Sequence, residues 1–141
     1  MRVFCDIRRT NLLTGDVQTF VENMSSVIPE PDRRALLADD TLGPFVIRNG
    51  REGMKYSSDG WVDDSLAFVQ PWGFELDGIK VPVSVYHGLE DAMVPVAHGR
   101  WLAEHLPSKY CKAHFLEGHG HISMQTEHLD KMLDELLNTQ H

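Results

Sequence analysis

Ile79-Lys80-Val81-Pro82-Val83-Ser84-Val85-Tyr86-His87-Gly88 runs straight into Leu89-Glu90-Asp91-Ala92-Met93-Val94-Pro95. The first stretch is rich in β-branched residues and ends on a turn residue, the composition of a buried strand. Pro82 near its start is tolerated, since a missing N–H costs least there. A polar loop follows, and Pro95 stands at a helix start, where its fixed φ suits the first turn. That helix is expected to reach about Leu106, with Val96, Trp101, Leu102 and Leu106 on its apolar side, and Pro107 ends it. Lys112-Ala113-His114-Phe115-Leu116 reads as a second strand, and Gly118-His119-Gly120-His121 as the loop after it. A last helix is expected from about Ser123, with Leu129, Met132, Leu133, Leu136 and Leu137 at three- and four-residue spacing.

This order of strand, helix, strand, helix implies an α/β fold with two parallel strands, at about 80–87 and 111–116, joined by a right-handed crossover. A parallel sheet needs both faces covered, and two strands are too few for a stable one. The segment therefore asks for further strands, from residues outside this chain or from a second copy covering the open sheet edge.

Residues 1–70 differ in texture and read as short helices and loops. Thr14 or Asp16 is placed to cap a helix through Val17, Phe20, Val21 and Met24. Pro29 and Pro31 break it, and Pro31 can open another short helix through Leu37. Leu42 to about Tyr56 carries Phe45, Val46, Ile47 and Met54, but Gly50 and Gly53 weaken a helical reading.

Composition narrows the function. The chain has 141 residues, 42% hydrophobic and 24% charged, with a formal net charge of −8. That suits one globular domain with a core, and its carboxylate surplus repels nucleic acid and anionic membranes. The pairs Arg8–Arg9 and Arg33–Arg34 are isolated and read as solvated charge. Cys5 and Cys111 lie far apart without a C-x-x-C spacing, so neither a disulfide scaffold nor a zinc ribbon is expected. No apolar run approaches transmembrane length, and the first residues lack a signal peptide's apolar core, so a cytoplasmic location is expected.

Two loops carry the candidate chemistry. In parallel α/β sheets ligands gather at the carboxyl ends of strands. Asp91 follows one such end and His121 the next, about 30 residues on. A buried carboxylate on one imidazole nitrogen fixes the tautomer and stabilises the imidazolium formed when the other nitrogen takes a proton.

Gly88-Leu89-Glu90-Asp91-Ala92-Met93-Val94-Pro95 resembles the Gly-x-x-Asp-x-x-Val-Pro pattern that supplies the triad acid in α/β-hydrolase-fold enzymes. Leu116-Glu117-Gly118-His119-Gly120-His121 resembles the run that supplies their histidine. Acid before histidine is also that family's order. Asp59-Gly60-Trp61-Val62-Asp63-Asp64, with Pro71-Trp72-Gly73-Phe74, looks like a linker returning from a helical cap. The resemblance is strong over 71–125 and weaker over 1–60. It implies a partial α/β-hydrolase fold: a helical cap-like segment over 1–70 and an incomplete C-terminal core segment over 71–141. It further implies a parent enzyme hydrolysing an ester, amide or similar small molecule with a Ser-His-Asp triad, needing no cofactor or metal.

The chain departs from that family in lacking a Gly-x-Ser-x-Gly elbow and an upstream oxyanion loop. It is therefore expected to supply Asp91 and His121 without a nucleophile, to be inactive alone, and to pair with a missing N-terminal half or with itself. The alternative is a non-catalytic homodimeric binding or structural module. Four residue-level competitors stand beside these readings. Asp91 could be an ordinary turn residue, and Glu90 is the neighbouring acid, one position early and read as solvated. His119 follows a glycine as His121 does and competes for the same role. His119 and His121, with His114 or His87, could face zinc, but no third ligand has a fixed spacing. His98 and His105 read as surface residues. Trp61, Trp72 and Trp101 read as packing, Tyr86 as packed within its strand, and the Met124–Met132 region as core.

Overall fold

The computed structural model describes residues 1–38 and 40–138. Among these residues it holds seven α-helices, a short 3-10 turn and two strands, a mixed α/β chain whose two strands are parallel. The chain divides into two units, residues 1–25 with 36–72 and residues 26–35 with 73–141.

The first unit is helical. It contains α1 (Arg2–Thr14), α2 (Val17–Asn23), α4 (Leu42–Gly53) and α5 (Asp59–Ala67). Between α2 and α4 in sequence runs α3 (Glu30–Leu37), whose residues to Ala35 belong to the second unit. Asp16 rather than Thr14 caps α2, its Oδ1 accepting the Thr19 N–H at 2.8 Å. Cys5, Leu12, Val21, Ile47 and Val62 are buried.

Two elements depart from the sequence expectation. Helix α1 was hidden because exposed Val3, Phe4 and Ile7 spread apolar character around it, away from buried Cys5 and Leu12. Helix α5 occupies Asp59–Ala67, part of the stretch expected to be a linker, with Val62 as its buried anchor.

Helix α4 forms despite its glycines, for a reason of packing. A Cβ on Gly43 would lie 2.4 Å from the Leu36 carbonyl oxygen, and one on Gly50 would lie 2.7 Å from Leu12 Cδ2. Gly43 and Gly50 let neighbouring chain come close, and that contact outweighs their helix cost of up to about 1 kcal/mol each. A Cβ on Gly53 would meet nothing within 4 Å, and Gly53 stands at the end of the helix. Arg51 then ties α4 to α1, its Nε donating to the Leu12 carbonyl at 3.0 Å.

The second unit carries β1 (Val83–Gly88), α6 (Val96–His105), β2 (Cys111–Leu116) and α7 (His121–Asn138). The register runs from Val83 opposite Cys111 to Gly88 opposite Leu116. Strand β1 starts later than expected, after Pro82, which has no N–H to give; Val83 supplies the first bond, 2.8 Å to the Tyr110 carbonyl. Strand alternation sorts the faces. On one face His87 meets Gly99 of α6, where a Cβ would stand 2.6 Å from the ring Nδ1. On the other, Ser84, Tyr86 and His114 point to Glu135 of α7.

Glu135 is the polar clasp of this face. It accepts from Ser84 Oγ at 2.7 Å and from the Tyr86 hydroxyl, with His114 Nε2 at 3.0 Å and Lys112 Nζ at 3.3 Å. The hydrogen bonds from Tyr86 and Ser84 hold its carboxyl down at about 2. Burial, then the Glu135 carboxylate, push the Tyr86 hydroxyl up to about 12. Tyr86 also stacks on His114, ring centres 4.2 Å apart. The expected core stripe of α7 is only partly buried: Met124 is inside, while Leu129, Leu133, Leu136 and Leu137 are exposed, Leu137 to 83%.

Candidate functional site

The register fixes where the two loops begin. Gly88 and Leu116 are partners at the carboxyl ends of β1 and β2, so the chain leaves both strands side by side. The loops then bond to each other, Leu89 N–H to the Leu116 carbonyl and Glu90 N–H to the His119 carbonyl, both at 2.9 Å. Gly88 permits this approach, because a Cβ there would lie 2.3 Å from the His119 carbonyl oxygen and 2.5 Å from that of Gly120.

Asp91 sits in a side-chain turn. Its Oδ1 accepts the Met93 N–H at 2.9 Å and the Val94 N–H at 2.8 Å. That leaves Oδ2 to face His121 Nδ1 at 2.8 Å. The Asp91 side chain is 3% exposed and that of His121 38%. His87, buried at the end of β1, donates from Nε2 to the Val94 carbonyl at 2.9 Å and lies 3.8 Å from Asp91 Oδ2. It braces the loop from beneath.

The chemistry follows from the acceptor. An ionised carboxylate only accepts, so the proton of a neutral His121 lies on Nδ1 and the lone pair on Nε2. Nε2 has no hydrogen-bonded side chain among the described residues. The pair can take a proton at Nε2 and hold the resulting charge against Asp91, in a charge-assisted bond worth about 1.5–3 kcal/mol.

The competing residues fall elsewhere. Glu90 is exposed. His119 turns away, with Nδ1 2.7 Å from the Glu117 carbonyl and Nε2 3.1 Å from His128 Nε2. His114 belongs to the Glu135 clasp, and His98 and His105 are exposed. No group of three or more His, Cys, Asp or Glu among the described residues is arranged to hold a metal ion. Cys5 and Cys111 are free thiols, and no described helix is long and apolar enough to cross a membrane. A hollow of about 490 Å³ lined by Ser84, Lys112 and Glu135 opens where the strands begin, at the far end of the sheet from Asp91 and His121.

One residue of the site was missed in the sequence. Asp32, on α3 and fully buried, accepts the backbone N–H groups of His121, Ile122 and Ser123 at 2.8, 3.0 and 2.8 Å, and the Ser123 hydroxyl at 2.7 Å. These are the first N–H groups of α7, which no intrahelical carbonyl can satisfy. The signal was indirect: Gly120 precedes the helix and has no side chain to cap it, so an acceptor had to come from elsewhere. Gly120 is also required by the arrangement, since its Cβ would lie 2.6 Å from the Asp32 carboxylate.

Compared with protein-family models and with curated proteins, the chain matches none.

Proposed function

We propose that this chain is the C-terminal part of an α/β-fold hydrolase acting on an ester, amide or similar small molecule, with Asp91 as the triad acid and His121 as general base. The observation that carries this reading is the 2.8 Å contact from His121 Nδ1 to Asp91 Oδ2 at the ends of adjacent parallel strands. The helical residues before the sheet would be a cap-like segment. No cofactor is required.

The nucleophile lies outside this chain. There is no Gly-x-Ser-x-Gly elbow, and Ser123, the serine nearest His121 in sequence, has its hydroxyl committed to Asp32 and to the Gly120 N–H. In the complete enzyme a nucleophilic hydroxyl adds to the substrate carbonyl carbon while its proton moves to His121 Nε2. The leaving group departs with that proton, and water repeats the sequence on the acyl intermediate. Asp91 holds the ring in register through both steps.

The test is ester hydrolysis by the purified chain, alone and mixed with an N-terminal hydrolase half that carries the sheet and serine elbow. No turnover of an activated ester is expected alone; turnover is expected in the docked pair, abolished by His121→Ala. A docked pair that works equally well without the imidazole refutes the proposal, and so does His121-dependent turnover by the chain alone.

A non-catalytic homodimer is the second reading, favoured by the exposed leucines of α7 beside a two-stranded sheet. Sedimentation equilibrium separates the two: this reading requires a dimer at micromolar concentration that Leu133→Glu with Leu137→Glu dissociates.

A further inference from the structure

We propose that Asp32 is a positioning residue for His121, acting through the start of α7; this rests on the reading of His121 as the general base. His121 is the first residue of α7, so its ring goes where that first turn goes. A helix start leaves its first N–H groups without partners, and a glycine at the preceding position supplies no cap. Here one carboxylate from a segment 89 residues away takes three of them.

The two oxygens divide the work. Oδ1 serves Ile122 N–H, Ser123 N–H and the Ser123 hydroxyl, which fastens the turn. Oδ2 accepts the His121 N–H, the backbone of the functional residue itself. Ser123 Oγ in turn accepts the Gly120 N–H at 2.9 Å, so the chain is held on both sides of His121. Asp91 therefore fixes the ring, while Asp32 fixes the backbone that carries it. Asp32 is fully buried and cannot touch a substrate from this position. A displacement of about 1 Å in a catalytic group costs on the order of a hundredfold in rate, which is what such a fastening protects against.

The substitution Asp32→Asn separates positioning from general stability, because it keeps the shape of the side chain. Its carbonyl oxygen serves the three donors of the Oδ1 side, and its NH2 then faces the His121 N–H. Amide exchange by NMR is expected to accelerate at least tenfold at His121 while Ile122 and Ser123 stay protected. The downfield Nδ1 proton of His121 is expected to weaken or shift. Asp32→Ala should unfasten all three amides and lose that proton signal with the sheet amides still protected. An unchanged His121 Nδ1 signal in a folded Asp32→Asn protein overturns the proposal. A protein that does not fold with Asn at 32 also overturns it, because Asp32 would then serve the fold at large. None of these measurements needs substrate. A docked pair whose ester turnover survives His121→Ala, with a shifted Nδ1 signal in Asp32→Asn, would remove the hydrolase reading and leave the positioning role standing.

Discussion

A Cβ on Gly88 would stand 2.3 Å from the carbonyl oxygen of His119. The loop bearing Asp91 and the loop bearing His121 thus meet across a residue with no side chain. The bonds from Leu89 N–H and Glu90 N–H depend on that closeness, and so does the 2.8 Å contact between His121 Nδ1 and Asp91 Oδ2.

Gly88→Ala should therefore separate the loops. Backbone atoms cannot give way as a flexible side chain can, so the overpacking cost is expected at about 1–3 kcal/mol. Chemical denaturation measures it, and the downfield His121 Nδ1 proton reports whether the pair has parted. An alanine protein with unchanged stability and an intact signal would show that the loops need no glycine.

Asp91→Asn tests the tautomer. The amide can still receive the Met93 and Val94 N–H groups on one oxygen, but it offers His121 Nδ1 a donor or a weaker acceptor. Stability is expected to fall by about 1 kcal/mol. In a reconstituted hydrolase the loss of kcat should be on the order of 10⁴-fold, as for the same change in a Ser-His-Asp triad. Imidazole 15N shifts should report a move of the proton from Nδ1 toward Nε2. Identical shifts in both proteins would count against Asp91 as the orienting acid.

Glu135 predicts an acid limb. Its carboxyl is lowered from the ordinary 4.5 to about 2, first by the Tyr86 hydrogen bond and then by that of Ser84. A depressed folded-state value means the folded form releases the proton more readily than the unfolded form. The stabilisation is thus fully present above about pH 4.5 and is lost as pH falls toward 2. Glu135→Gln should flatten the decline of unfolding free energy across that window in urea titrations. An equally steep decline in the variant would place the acid sensitivity elsewhere.

The helical unit offers a contrast between two glycines. Gly43→Ala meets the Leu36 carbonyl oxygen at 2.4 Å, whereas a Cβ on Gly60 of α5 meets nothing within 4 Å. Alanine at 43 should cost about 1–3 kcal/mol, and alanine at 60 should add up to about 1 kcal/mol through helix propensity. Thermal melts should move in opposite directions, by roughly 2–4 °C per kcal/mol. Upward shifts at both positions would mean that propensity alone governs them, and a downward shift at 60 would count against the open space around it.

What could be read along the chain was whatever depends on near neighbours. The β-branched run before Gly88, the Pro95 helix start and the Asp91 turn are local in cause, and each stands within a few residues of its expected place. Helices α1 and α5 were not legible. In α1 apolar residues point both inward and outward, and α5 is anchored by a single buried residue, Val62. Gly50 of α4 misled for a related reason: its value lies in the Leu12 side chain that approaches it, which propensity does not contain, whereas a Cβ on Gly53 would meet nothing within 4 Å and Gly53 is the last residue of the helix.

The sequence by itself determined the order of strands and helices after Pro82, the turn that presents Asp91 and the two glycine–histidine pairs from which the partner had to come. The tertiary structure alone decided between His119 and His121, because register and the Gly88 contact set which imidazole faces the acid. It alone brought in Asp32, whose four hydrogen bonds span about ninety positions of chain. A hydrogen bond is set by distance in space, and spacing along the chain encodes that distance only within an element or a tight turn.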